Sequence, residues 1–391
     1  MQWRRGVVLR RTRAWGDTIE YAVALAESAP AQAQPGIPAS VLALGYCSLV
    51  GELEPGDEVL LNASALLRGL GTGGAAFIVA APNRLPSDPP TRPGHIVKAR
   101  YTPLQQMLLA VDEQESPHHA RMNSAAAAAG DLGGLPVLVA DLHSALAPIL
   151  VGIRSFAPGL RVVYVMTDGG ALPAAFSRSV AELDALGWLT ATITVGQAFG
   201  GDHEAVSLHS GLLAARHVLD ADLVVVIQGP GNVGTGTPFG YSGVAAGEAL
   251  NAVEVLGGRG FGALRVSDAD PRGRHVGISH HSVTAFGRIV LGSATLVVPD
   301  LPGAFGGEVA AAAEGIAANA RGRITLAREP IDGLVEALDT AEVSLSTMGR
   351  GFAEDRAYFL AQAAAGRHTA RVAAQWPGAG SSGRRRGQRR R

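Results

Sequence analysis

The sequence predicts an α/β protein: a parallel, doubly wound sheet domain preceded by a small β-rich, barrel-like domain. Three observations carry this. From about residue 135, apolar runs of strand length alternate with helix-length amphipathic segments, the pattern of a parallel sheet covered on both faces. Before residue 80, short apolar stretches alternate with turn residues. A proline-rich connection separates the two.

In residues 1–80 the strand candidates are GVVLR, SVLAL, EVLLN and AAFIVAA. GELEPGDEVLLN reads as strand–turn–strand: Pro55 presets the turn, Gly56 and Asp57 complete it, and Val59 to Leu61 resume extended structure. The glycine cluster at 69–74 reads as a hairpin or bulge loop. Pro82, Pro86, Pro89, Pro90 and Pro93 make 81–95 extended. YTPLQQMLLAV (101–111) predicts a short helix, and an Ala-rich piece follows, so 81–134 reads as linker and connector. The α/β domain then spans 135–366. Its expected strands are Val137–Ala140, Val162–Met166, Ala191–Val195, Leu223–Ile227, Ala263–Val266 and Thr295–Val298. Its expected helices are His143–Arg154, Ser177–Leu186, Glu204–Leu219, Ser242–Leu256, then 303–320, 330–340 and 350–366. Residues 367–391 read as a flexible basic tail.

Composition narrows the function classes. Cys47 is the only cysteine, which excludes a disulfide framework and multi-thiolate metal sites. Lys98 is the only lysine, and its context, GHIVKARY, is not a phosphate loop. No segment is long and apolar enough to span a bilayer, and the start lacks an apolar signal core. A cytoplasmic protein without membrane contact is expected. The net charge is −1, but RRRGQRRR at the end holds six arginines, so the body is seven units negative. An acidic body argues against a nucleic-acid-binding domain. The tail can touch polyanions non-specifically.

Polar residues gather after each expected strand: Asp141, His143 and Ser144; Asp168; Gln197, Asp202 and His203; the glycine loop from Gln228; Asp268, Asp270 and His275. Helix caps explain one such residue per loop, but not nine-residue loops rich in His, Gln and carboxylates. In open parallel sheets the carboxyl edge is where ligands bind.

The glycine loop QGPGNVGTGTPFGYSG is the most distinctive of these. Gly229, Gly231 and Gly234 match the G-x-G-x-x-G spacing of a dinucleotide loop. That fingerprint needs its helix to begin within the glycines. Here Gly236, Pro238 and Gly240 follow, so the helix starts after Ser242 and NAD is not expected. Backbone N–H groups at these glycines, the hydroxyls of Thr235 and Thr237, and the Gln197 amide are the candidate contacts for a small polar or anionic ligand. A backbone wrapped around a neighbouring loop is the alternative.

GRHVGISHHS places His275, His280 and His281 within seven positions. With His143, Asp168 and Asp202 on neighbouring strand ends, a divalent metal is a candidate cofactor. His143, Asp168, Asp202, His280 and His281 are the candidate catalytic residues. There is no HExxH motif and no G-x-S-x-G elbow.

The strings YTPLQ, SPHH, LHS, YVMTDGGALP, TITVGQAFGGDHEA, QGPGNVGTGT, GISHHS and TMGR resemble, in this order, a family of uncharacterised, mainly actinobacterial proteins known only as a domain of unknown function. The resemblance runs to about residue 366. It implies that both domains form one unit, and it carries no activity, cofactor or catalytic role. On the residues alone, the expectation is an enzyme, with hydrolysis the least committal reaction class. A non-catalytic metabolite-binding or regulatory protein is the alternative.

Overall fold

The computed structural model describes residues 1–26, 38–70, 73–320 and 323–378. The chain divides into two compact units, Met1–Arg92 and Pro93–Arg391. The first is a closed barrel of β1 (Trp3–Trp15), β2 (Thr18–Leu25), β3 (Ser40–Tyr46), β4 (Glu58–Asn62) and β5 (Ala75–Ala80), in the order β1-β2-β3-β5-β4. Strand β1 pairs with both β2 and β4 and so closes the barrel. Register shifts between Val8 and Arg10 and between Arg11 and Arg13 bend it, as bulges do. Val8, Tyr21, Val23, Ala43, Val59, Leu61 and Ile78 fill the interior. A single turn, α1 (Cys47–Val50), follows β3. The Glu54–Asp57 turn forms as the sequence implies, with Gly56 at φ +98. Strand β2 had no counterpart among the expected strands. The 69–74 loop lies partly outside the described residues.

The second unit opens with a hairpin, β6 (Ile96–Lys98) and β7 (Gln106–Leu108), and two single turns, α2 (His119–Met122) and α3 (Ala125–Ala128). The helix expected at 101–111 is therefore corrected: this stretch supplies a strand that pairs with β6. The segment is tied to the sheet by Lys98, whose ammonium donates to Thr194 O (2.8 Å), Ala198 O (2.8 Å) and Glu204 Oε2 (2.7 Å).

Eight parallel strands follow: β8 (Pro136–Val139), β9 (Val162–Thr167), β10 (Ala191–Thr194), β11 (His203–Glu204), β12 (Leu223–Gln228), β13 (Arg259–Ala263), β16 (Ala294–Pro299) and β17 (Ile324–Glu329). A two-stranded ribbon, β14 (Val266–Ser267) and β15 (Gly277–Ile278), lies between β13 and β16 in sequence. The sheet order is β11-β10-β9-β12-β8-β13-β16-β17. Every residue of β8 and β12 is buried, as expected for central strands covered on both faces.

The helices are α4 (Leu146–Phe156), α5 (Arg178–Ala185), α6 (Leu208–His217), α7 (Ala245–Val255), α8 (His280–Thr284), α9 (Gly303–Asn319), α10 (Leu334–Asp339) and α11 (Arg356–Gln375). Helices α4, α10 and α11 pack together, and α11 lies on β8, β13 and β16. Helix α6 packs on β9 and α7 on β13, with α9 against β16 and β17.

Two expected elements shift. The strand expected at Ala263–Val266 lies at Arg259–Ala263. Its glycines hid it, and they are required: a Cβ at Gly262 would sit 2.5 Å from the Leu296 side chain. Helix α11 continues to Gln375, past the expected start of the tail. Arg367 Nε and Arg371 Nη2 both reach the buried Glu329 carboxylate at 2.8 Å, a long-range pairing that local sequence cannot show. Residues 379–391, with the arginine run, lie outside the described residues. No helix among the described residues is long and apolar enough to cross a membrane.

Candidate functional site

Strand order defines a crevice at the carboxyl edge of the sheet. From β8 the chain crosses to β9 on one side of the sheet; from β12 it crosses to β13 on the other. The adjacent strands β8 and β12 therefore send their connections in opposite directions. Their carboxyl ends diverge into a crevice, the switch point of an open α/β sheet. Asp141, Thr167, Gln228, Ser242, Gly243 and Ala246 line it, and it has room for about one water molecule.

Two buried side chains meet at this edge with unused capacity. Among the described residues Asp141, 3% exposed, has no hydrogen-bond partner for Oδ2. Gln228 donates Nε2 to Asp141 O at 2.9 Å, while its Oε1 is buried without a partner. Each orphaned buried polar atom costs about 1–3 kcal/mol, so two in one crevice call for an explanation.

The neighbouring groups extend from Asp141. Its Oδ2 lies 3.7 Å from His281 Nδ1. The Tyr241 ring stacks on His281 at 3.7 Å, and its hydroxyl donates to His281 O at 2.6 Å. Arg265, 4% exposed, lies 3.4 Å from both His281 Nδ1 and Asp270 Oδ2. Asp270 also pairs with Arg272 at 2.9 Å and Arg350 at 3.5 Å. Burial pushes the Asp270 carboxyl up, but hydrogen bonds from Arg272 outweigh it and hold the pKa well below the usual carboxylate range. Arg350 also holds Asp355, which accepts from Ser267 Oγ at 2.8 Å. Burial, then the charges of Arg265 and Arg272, push His275 down to about 3. His280 is lowered too, by burial first and its neighbour His281 second.

His143 neighbours the crevice through Gln228. Its Nδ1 is 3.2 Å from Gln228 O and 3.2 Å from the Tyr164 hydroxyl; its Nε2 is 2.6 Å from Ser177 Oγ. The Ser177 hydroxyl also caps α5 by accepting from Val180 N, and at 3% exposure it is out of reach of a substrate. Burial pushes His143 down to about 4, opposed by its bond to the Gln228 carbonyl. The folded protein therefore keeps this ring neutral to about pH 4, while the unfolded chain protonates it near pH 6.5. More protons bind the unfolded state in that window, so stability is full above pH 6.5 and is lost as pH falls toward 4. Urea midpoints at pH 7.5, 5.5 and 4.5 will decline, less steeply in His143→Gln; equal slopes would contradict this.

The other candidate residues have local duties. Asp168 Oδ2 accepts from Gln197 N at 2.8 Å, and the Gln197 side chain accepts from Arg100 N at 3.2 Å. Asp202 Oδ2 accepts from Thr192 N at 2.8 Å. The structure thus links His143 and His281 through Gln228 and Asp141, while Asp168 and Asp202 brace their own loops. Among the glycines, a Cβ at Gly229 would lie 2.4 Å from Ala171 O, so this residue permits close packing of two loops. Gly231 and Gly236 adopt positive φ, and Gly234 bridges to Tyr241. The Thr235 and Thr237 hydroxyls bond each other at 3.0 Å and fold back on Gly240. A 3-10 turn at Ser242–Val244 leads into α7, so the helix begins beyond the last loop glycine.

Asp141, Gln228, Tyr241 and Arg265 complete the site without having been singled out in the sequence as site residues. Asp141 and Gln228 carried a signal, as polar residues directly after an expected strand; Tyr241 and Arg265 carried none.

Of the comparisons with known proteins, one family model, described as "Protein of unknown function (DUF3866)", matches residues 42–366. No curated protein and no solved structure matches the chain. The match starts in β3, ends in α11 and takes in every residue of the crevice. The chain belongs to the DUF3866 family of proteins of unknown function.

Proposed function

We propose that this protein is an enzyme, of the hydrolase class, that binds a small polar or anionic molecule at the carboxyl edge of its parallel sheet. The observation that carries the reading is the pair of buried, unpartnered oxygens, Asp141 Oδ2 and Gln228 Oε1, at the β8–β12 switch point. Asp141 is the carboxylate placed to accept a proton there, and Gln228 orients a polar ligand. Both oxygens are acceptors, so they take hydrogen-bond donors of the ligand; Arg265, Arg272 and Arg350 nearby are already paired with Asp270 and Asp355. The glycine loop forms a wall of the cleft.

Non-catalytic metabolite binding is the second reading. It is favoured by the engagement of Asp168 and Asp202 with backbone amides, which leaves few carboxylates free for acid–base work.

The test is a thermal-shift screen of the full chain against phosphorylated and carboxylated metabolites, followed by turnover assays on the hits. A true ligand at 100 times its Kd stabilises by about 2.7 kcal/mol, or roughly 5 °C or more. That shift should be lost in Gly243→Val, whose Cβ would sit 3.0 Å from the Asp141 Cβ inside the crevice. A shift with hydrolysis supports the enzyme reading, a shift without turnover the binding reading. A shift that survives in Gly243→Val contradicts the location.

A further inference from the structure

We propose that His275, His280 and His281 form a binding site for one zinc-type divalent ion. One ring nitrogen from each lies within 4.8 Å of the others. The ring centroids are 5.0 Å apart for His275–His280, 5.0 Å for His275–His281 and 4.4 Å for His280–His281. Nitrogens on one tetrahedral zinc stand about 3.4 Å apart, given bonds of about 2.1 Å. Closing the rings onto an ion therefore takes movements of about 1.4 Å at most, within reach of side-chain rotation.

The cluster is built, not incidental. His275 is 1% exposed, and its Nδ1 is engaged by Ser279 Oγ at 2.7 Å. That bond orients the ring and leaves Nε2 for a ligand, the usual outer support of a metal-bound histidine. Ser279 is also the N-cap of α8, accepting from His281 N, so one hydroxyl fixes both the ring of His275 and the turn that carries the other two. His281 is held flat by the Tyr241 ring.

Two independent observations point to a missing partner. His280 Nε2 is buried with no hydrogen-bond partner among the described residues. Asp141, itself 3% exposed, leaves Oδ2 unpartnered beside His281. A packed imidazole cluster with no ion should satisfy these atoms from within the protein, and it does not.

Charge and ligand chemistry select the ion. Around the cluster Asp141, Asp270 and Asp355 balance Arg265, Arg272 and Arg350. A divalent ion makes the site net positive, which suits an anionic ligand. Three imidazoles without a thiolate suit zinc and its neighbours, not calcium or magnesium. By contrast, a second group among the described residues, His95, Glu113 and Glu115, has an exposed histidine whose ring already pairs with Glu113 at 2.6 Å.

The site shares Asp141 with the proposed ligand crevice, while the histidine triad and the unpartnered His280 Nε2 stand without that reading. The test uses full-length protein stripped with EDTA, exchanged into chelator-free buffer and titrated with ZnCl2 by calorimetry. The expected result is one ion per chain with Kd in the micromolar range or tighter. His280→Ala and His281→Ala each remove a ligand and should weaken binding by more than the roughly 10–100-fold that loss of an outer support costs, while His209→Ala, on the exposed face of α6, changes nothing. Circular dichroism checks each fold, and His280→Gln, which keeps the side-chain volume, replaces any alanine variant that melts early. No binding at 100 μM zinc, or equal affinity in the His280 and His281 variants, overturns the proposal. Zinc binding without turnover overturns only the hydrolase reading; a ligand shift without zinc binding overturns only the metal site.

Discussion

Replacing Glu204 by alanine will destabilise the second unit by about 3–5 kcal/mol, the cost of leaving a buried charge without its partner. Lys98 is 1% exposed and Glu204 7%. The carboxylate does more than pair with the ammonium: Oε2 also accepts from Thr194 Oγ1 at 2.7 Å, and Oε1 accepts from Gly200 N at 2.7 Å. Its removal strands three donors at once. Burial already pushes the Lys98 pKa down, and Glu204 opposes this; without Glu204 the ammonium has no counter-charge within bonding distance among the described residues. The thermal midpoint should fall by on the order of 10 °C. Lys98→Met combined with Glu204→Leu should recover much of the loss, because an apolar pair of similar volume carries no desolvation cost. Since Lys98 is the only lysine, acetylation read by mass spectrometry gives a second measure. The native protein should resist modification at Lys98, and Glu204→Ala should be modified at denaturant concentrations where the native protein is not. A midpoint change under about 2 °C would contradict the pairing.

Substituting Gly366 by alanine is the second large effect. Helices α4 and α11 touch through backbone: a Cβ at Gly366 would lie 2.1 Å from Ile149 O, and one at Gly152 would lie 1.9 Å from Ala363 O. Both obstacles are main-chain atoms inside packed helices, so relief requires the helices to separate. Overpacking of this kind costs about 1–3 kcal/mol and sometimes more, and here it opposes the roughly 1 kcal/mol that alanine gains over glycine in a helix. The net expected loss is about 2 kcal/mol for Gly366→Ala and for Gly152→Ala. The pair should be less than additive, because one separation relieves both clashes. Gly315→Ala is the control: it is exposed in α9 with open space around its Cβ and should stabilise slightly. Calorimetric unfolding distinguishes the two classes; a stabilised Gly366→Ala would refute the close helix contact.

The parallel sheet was legible because its central strands are continuous apolar runs. VVVI in β12 and VVYVM in β9 have few other uses. What escaped has physical reasons. Strand β13 is ArgGlyPheGlyAla, with glycine where Leu296 and Phe286 need the space. Strand β11 is two residues long, and β17 sits at the sheet edge with a mixed pattern. Strand β7 exists only through its pairing with β6.

Of the candidate site, the sheet edge was legible and the contacts were not. The polar loops do lie at one sheet edge. Sequence could not tell which carboxylates would be consumed by backbone amides, as in Asp168 and Asp202, and which would be left open, as in Asp141. Nor could it show that the Thr235 and Thr237 hydroxyls bond each other. The histidine run was visible, but its partner Asp141 is 140 positions from His281 and meets it only through the order of the strands.

The measurement that bears most directly on the central claim is hydrogen–deuterium exchange on the full chain, with and without the metabolite that gives the largest thermal shift. Protection concentrated in residues 140–144, 228–244 and 279–282 is the predicted result, because these segments line or adjoin the β8–β12 crevice. Protection confined to the barrel, or to the opposite, amino-terminal edge of the sheet, would contradict it.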